Sequence, residues 1–331
     1  MVNRDINFSL WLDFVERDYL KNAFSKLIDN GTINGATSNP SIFASAITTS
    51  PAYKEQLASL TGKSAKEKYE ALAVDDIRSA AQALRASYDE GNDGYISIEV
   101  DPFLSNDTQG SIEEGKRLFT AIGEPNVMVK IPATEAGYDA MTELLCNGIS
   151  VNATLIFSPK QAQKCLKAMK KGMDGFEASG GGRVESVISV FVSRFDRLLD
   201  ADLEQEGIAV SKTGIYNAAK IYNLVESHHT PAVRTLFAST GVKGNNLPAD
   251  YYMRALLAPH SVNTAPLATI ESYISKKESL PRLPLEDDVI NGYFTKLADN
   301  GFDMDAIYAE LLQDGLSAFE KAFSEMLETL A

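Results

Sequence analysis

A lysine interrupts the apolar run Val127-Met128-Val129-Lys130-Ile131-Pro132-Ala133-Thr134. Burying an ammonium ion is costly, so such a lysine reaches solvent along its aliphatic stem, finds a partner, or gives up its proton. The last case leaves a lone pair, and a desolvated amine with a lone pair attacks carbonyl carbon to start Schiff-base chemistry. Taken alone, this segment favours the solvent-reaching reading. The chemical reading needs further groups, and polar residues stand at the ends of five other apolar runs. Asp13 lies in Leu10-Trp11-Leu12-Asp13-Phe14, Asn39 follows Thr37-Ser38, and Glu99 lies in Ile96-Ser97-Ile98-Glu99-Val100. Asn152 and Thr154 alternate along Val151–Phe157 and therefore share one face, and Arg194 follows Ser189-Val190-Phe191-Val192-Ser193. Each alone reads as a cap or a surface charge; six together imply strand ends that converge.

The elements that would position them are short, largely apolar runs, mostly rich in β-branched or aromatic residues: Leu10–Phe14, Ile33–Thr37, Tyr95–Val100, Val127–Ile131, Val151–Phe157, Val187–Phe191, Thr235–Ser239 and Ser261–Thr264. Helical patterns separate them. Ser50-Pro51 and Ser158-Pro159 read as an N-cap followed by proline at the first helical position. Helix formers on an amphipathic pattern occupy Ser64–Asp89, Ile112–Ile122, Tyr138–Cys146, Gln161–Met173 and Arg194–Gln205. The spacing of Ile307, Leu311, Leu312, Leu316, Phe319, Phe323, Met326, Leu327 and Leu330 predicts a C-terminal helix or helix pair. Strands alternating with helices imply a parallel α/β fold, either a closed barrel or an open doubly wound sheet. No GxGxxG follows the first strand, which weakens a dinucleotide-binding sheet. In a barrel the strand C-termini meet at one mouth, where catalytic groups gather.

The chain has 331 residues, 44% hydrophobic and 23% charged, with a formal net charge of −14. This composition supports a large core, and the length fits either two domains or one α/β barrel over residues 1–331. The acidic balance argues against nucleic-acid or anionic-membrane partners, while leaving room for a small anion in a local basic pocket. Cys146 and Cys165 offer no disulfide framework, and His228, His229 and His260 fall in no metal-binding spacing, so a zinc site is not expected. The start, Met1-Val2-Asn3-Arg4-Asp5, lacks a signal-peptide core, and the longest uncharged run, Asn30–Tyr53, is broken by prolines; a cytoplasmic protein is expected. Gly62-Lys63-Ser64 resembles the end of a phosphate-binding loop, but Leu57 stands where that loop needs glycine. The sequons at Asn106 and Asn152 have no secretory context, and Lys63, Lys66 and Lys68 read as a solvated helix face.

Thr37-Ser38-Asn39-Pro40-Ser41-Ile42 resembles the strand-2 signature of the transaldolase family, and the segment around Lys130 resembles its Schiff-base strand. Ile98–Asp101, Val151–Ser158 and Ile188–Arg194 match in family order, so the resemblance runs from about Leu10 to the C-terminal helices. It implies a single (β/α)8 barrel with extra helices, including a C-terminal helical segment. It implies Lys130 as the Schiff-base lysine, Asp13 as the acid/base, and Glu99 and Thr154 around a catalytic water. Asn39, Asn152 and Ser189 become contacts to substrate hydroxyls, Phe191 a pocket wall, and Arg194 a phosphate ligand. Many members carry a second arginine two residues after the serine that corresponds to Ser239; here that position is Gly241 and the nearest cation is Lys243. The partners implied are ketose and aldose phosphates, and the assembly is compatible with a homodimer.

Two rival functions stay open at this point. Fructose 6-phosphate aldolases, shorter relatives, tend to carry glutamine where Glu99 stands and tyrosine where Phe191 stands, and both residues and the length favour transaldolase. A non-catalytic sugar-phosphate barrel would be expected to lack Lys130 or Asp13, and both are present.

Overall fold

The computed structural model describes residues 2–244, 246–276 and 280–331. All eight expected strands form, with ends shifted by one or two residues: β1 (Phe8–Asp13), β2 (Gly35–Thr37), β3 (Tyr95–Glu99), β4 (Val127–Pro132), β5 (Ser150–Ile156), β6 (Ser186–Phe191), β7 (Val233–Ala238) and β8 (Ser261–Ala265). They pair in parallel in chain order, and β8 returns to β1, closing the barrel. Of the two sheet solutions open to the sequence, closure is the one adopted. The principal helices are α1 (Pro40–Thr49), α2 (Ala65–Asp89), α3 (Thr108–Ile122), α4 (Glu135–Cys146), α5 (Pro159–Ala178), α6 (Ser193–Gln205), α7 (Thr213–Ser227), α8 (Leu267–Ser275), α9 (Asp287–Asp299) and α10 (Met304–Leu330). The C-terminal pattern is one continuous helix. Among the described residues, helices α7, α8 and α9 have no side-chain cap bonds at their starts, so they lack the boundary signals that mark α5.

Alternation along each strand separates two environments. Leu10, Leu12, Ile96 and Ile98 point outward into the helix-packed shell. Trp11, Tyr95, Met128, Val187, Leu236 and Val262 fill the barrel interior. Gly35 sits opposite Trp11 in the β1–β2 register, and a Cβ there would lie 2.3 Å from the indole nitrogen. Only glycine leaves room for the ring. Beneath it, Trp11 Nε1 and Arg234 Nη2 both donate to Asp93, at 2.8 and 2.6 Å. The bottom of the barrel is therefore closed by paired charge, and the polar residues higher on the same inward faces lie toward the C-terminal mouth.

Several caps fix the chain as it leaves that mouth. Asn39 accepts from the Ile42 amide to start α1, with Pro40 at the first helical position. Ser158 and Gln161 form a reciprocal capping box at α5. Ser50-Pro51 starts only a single 3₁₀ turn, Pro51–Tyr53, before a short helix. Lys66 departs from the expected solvated face: its ammonium binds Asp101 at 2.6 Å and Glu114 at 2.8 Å, tying α2 to α3 and the loop after β3. Helix α10 lies across the top, where Gly315 permits close approach, since a Cβ there would fall 2.9 Å from Leu155.

Candidate active site

Inward alternation and parallel register bring the polar strand ends to one level. Glu99 of β3 is the register partner of Lys130 of β4, which is the partner of Asn152 of β5. Lys130 does not reach solvent: it is 6% exposed. Its Nζ lies 3.4 Å from Glu99 Oε2 and donates to the Ser38 carbonyl at 3.2 Å. The amine also stands 5.7 Å from the ring centre of Phe319, which α10 contributes from the far end of the sequence.

Above this layer is a cavity of about 290 Å³. Nine of the eleven residues singled out from the sequence line it: Asp13, Asn39, Lys130, Thr154, Ser189, Phe191, Arg194, Ser239 and Lys243. Glu99 and Asn152 do not. Both are buried below its floor, Glu99 against Lys130 and Asn152 with both ends of its amide engaged. Asn152 donates to Ser97 Oγ at 3.0 Å and accepts from Ser189 Oγ at 2.6 Å. The expected contact from Asn152 to a substrate hydroxyl is therefore not preformed; the amide orients Ser189 instead. Asn39 lines the wall while its Oδ1 caps α1, which leaves the Nδ2 hydrogens as its free donors.

Asp13 is held by a neighbour that sequence reasoning gave no role. Thr37 Oγ1 donates to Asp13 Oδ1 at 2.7 Å and lies 2.6 Å from Thr264 Oγ1. Asp13 and Thr37 are register partners on β1 and β2, so the pairing follows from strand alignment. Burial raises the Asp13 carboxyl above its ordinary range, and the Lys130 charge and the Thr37 bond pull against that rise. Burial also raises Glu99, to about 7, with Lys130 opposing and the Asp13 charge adding to the rise. Both carboxyl groups are therefore held above their ordinary range by burial, beside the same lysine.

Around Thr154 the strand is irregular. Register between β5 and β6 shifts between Ala153 and Ile156, and Leu155 takes a φ of +58°. Ser239, just after β7, takes +55°. Left-handed conformations of this kind cost about 1–3 kcal/mol each in non-glycine residues and cluster at functional sites. The bulge leaves Thr154 on the cavity wall, and its Oγ1 is buried with no hydrogen-bond partner among the described residues. Both Glu99 oxygens share that property.

The cationic side of the cavity holds Arg194 and Lys243, both expected, and Arg197, which was not. Arg194 and Arg197 are three residues apart on α6, and this spacing is the signal that could have found the second arginine. Thr37 and Thr264 were findable only through strand register, and Phe319 only through the packing of α10. Among the described residues, no group of three or more histidine, cysteine, aspartate or glutamate side chains is placed to hold a metal ion, and no helix is long and apolar enough to cross a membrane.

Known proteins similar to this chain can be set beside that geometry. The profile of the family described as Transaldolase/Fructose-6-phosphate aldolase matches residues 10–330. A protein named Transaldolase from Campylobacter jejuni subsp. doylei is 46% identical over 331 aligned residues, covering 98% of this chain and 99% of its own. Another of that name from Helicobacter pylori is 44% identical, covering 97% of this chain and 99% of its own. Among solved structures, one titled as a putative fructose-1,6-biphosphate aldolase from Coccidioides immitis aligns with a TM-score of 0.36 and 13% identity, covering 98% of this chain and 91% of that one. That likeness is too slight to bear on function.

Proposed function

The chain belongs to the transaldolase/fructose-6-phosphate aldolase family and is a transaldolase, and we propose that it moves a dihydroxyacetone unit between sugar phosphates through a Schiff base on Lys130. The observation that carries this reading is the buried Lys130 amine, 3.4 Å from Glu99, on the floor of a cavity that Asp13 also lines.

In the proposed cycle the Lys130 amine attacks the C2 ketone of sedoheptulose 7-phosphate, and loss of water gives the protonated imine. The Asp13 carboxylate takes the proton of the C4 hydroxyl, the C3–C4 bond breaks, and its electron pair passes into the imine to give an enamine. Erythrose 4-phosphate leaves. The enamine carbon then attacks the aldehyde of glyceraldehyde 3-phosphate, Asp13 returns its proton to the new C4 oxygen, and hydrolysis releases fructose 6-phosphate and the free amine. General acid–base help of this type contributes roughly 10²–10⁴-fold. Glu99, with its carboxyl near neutrality, and Thr154 serve the water that is lost and later regained. Their otherwise unpartnered buried oxygens suit that role. Asn39 and Ser189 meet the sugar hydroxyls, Phe191 packs on the chain, and Arg194 with Lys243 takes the phosphate near Ser239. The imine itself accepts the electrons, so the cycle needs no metal or other cofactor. The reaction belongs to the pentose phosphate pathway and to the cytoplasm.

Borohydride reduction in the presence of fructose 6-phosphate, followed by peptide mass spectrometry, tests the assignment. The expected result is a dihydroxyacetone-derived adduct on Lys130 and loss of activity. An active enzyme whose adduct maps to another lysine, or that gives none, would overturn it. A released dihydroxyacetone product in place of transfer would mark an aldolase.

A further inference from the structure

The cavity contains more positive charge than its expected ligands account for. Arg194, Arg197 and Lys243 all line it, and none of the three makes a hydrogen bond or ion pair among the described residues. Two of them lie within the first five residues of α6, an end that the helix dipole makes unfavourable for cations. The acid of that first turn does not neutralise them, because Asp196 turns away to accept from the Gly214 amide at 3.0 Å. Arg194 is displaced below its ordinary range by burial and then by the charge of Arg197, with Asp314 of α10 opposing. Like charges crowded at a helix N-terminus, in a chain of net charge −14, are stabilised when an anion lies between them.

The loop after β7 supplies the Lys243 ammonium but no guanidinium: glycine stands at 241. Gly241 faces Pro266, and a Cβ there would lie 3.2 Å from the proline ring, tighter than most real contacts. A side chain at 241 would press on Pro266, the residue just before α8, which would have to give by a few tenths of an ångström.

We propose that Arg197 is the second arginine of the phosphate subsite, clasping the substrate phosphate together with Arg194 from one turn of α6 and supplying the guanidinium that Gly241 lacks. Each guanidinium can direct two parallel N–H bonds at phosphate oxygens, whereas Lys243 adds charge without that fork. The inference rests on the reading of this cavity as a sugar-phosphate site.

The test compares Arg197→Ala, Arg194→Ala and the unaltered enzyme on fructose 6-phosphate and on fructose, with inorganic phosphate as a competitive probe. Arg197→Ala is expected to lower kcat/KM for fructose 6-phosphate about 10-fold or more, mainly through KM, and to weaken inhibition by phosphate similarly. Its kcat/KM on fructose should change by no more than about 2-fold, a split that a merely structural role would not produce. If Arg194→Ala loses phosphate preference and Arg197→Ala keeps it, Arg197 is not a ligand and the proposal falls alone. If neither variant loses it, the phosphate site lies elsewhere and the reading of the cavity falls with it. Borohydride trapping on Lys130 in each variant reports separately whether the Schiff-base assignment stands.

Discussion

Glu99 and Lys130 are register partners on adjacent parallel strands, Lys130 on the cavity floor and Glu99 buried beneath it, with Oε2 and Nζ 3.4 Å apart. The pair holds a carboxyl group near neutrality beside the amine expected to form the imine. Burial outweighs the attraction of Lys130 and lifts Glu99 to about 7. Replacing it with glutamine should keep the shape and remove the titration.

This gives a signed pH prediction. Glu99 has its folded value raised to about 7 from an ordinary 4.5, so the folded state holds the proton more tightly than the unfolded chain. Its contribution to stability is full below pH 4.5 and declines as pH rises through about 7. The stability of the unaltered enzyme minus that of Glu99→Gln should therefore fall between pH 5 and pH 8, ~0.5 above and ~1 beyond those two values. Urea midpoints at the two pH values measure it. A difference that stays constant would show that Glu99 titrates normally.

Asp13→Ala should separate imine formation from carbon–carbon cleavage. Borohydride trapping on Lys130 should persist, while turnover falls roughly 10²–10⁴-fold. Near-normal turnover would remove Asp13 from its acid/base role.

Thr37→Val tests whether the hydroxyl that donates to Asp13 at 2.7 Å positions it. That bond pulls the Asp13 carboxyl down, so its loss should raise the carboxyl further and move the acidic limb of the kcat profile to higher pH. A fall in kcat of about 10-fold is expected, from a lost hydrogen bond to a charged group. An unmoved acidic limb would mean that Thr37 acts on packing alone.

Gly35→Ala should destabilise the barrel without touching the cavity. The added methyl would meet the Trp11 ring at 2.3 Å, and β1 and β2 are fixed by register, so relief requires moving the indole away from Asp93. Overpacking of this kind costs about 1–3 kcal/mol. A melting temperature equal to that of the unaltered enzyme would show that the floor adapts freely.

The amino-acid sequence by itself determined the eight strands, the capped helix after β5, and which side chains could do chemistry. These signals are local: a period of two along Ser97 and Glu99, a proline after Ser158, a lysine in an apolar run. Closure of the sheet decided the rest. Strand register, not sequence spacing, set Glu99 beside Lys130 and Thr37 beside Asp13. It also placed Asn152 under the floor, where its amide is spent on Ser97 and Ser189. The docking of α10 brought Phe319 over the amine, and the first turn of α6 brought Arg197 beside Arg194. Burial and charge proximity are properties of the assembled interior, because desolvation depends on every wall of a cavity at once. No window of sequence contains that information.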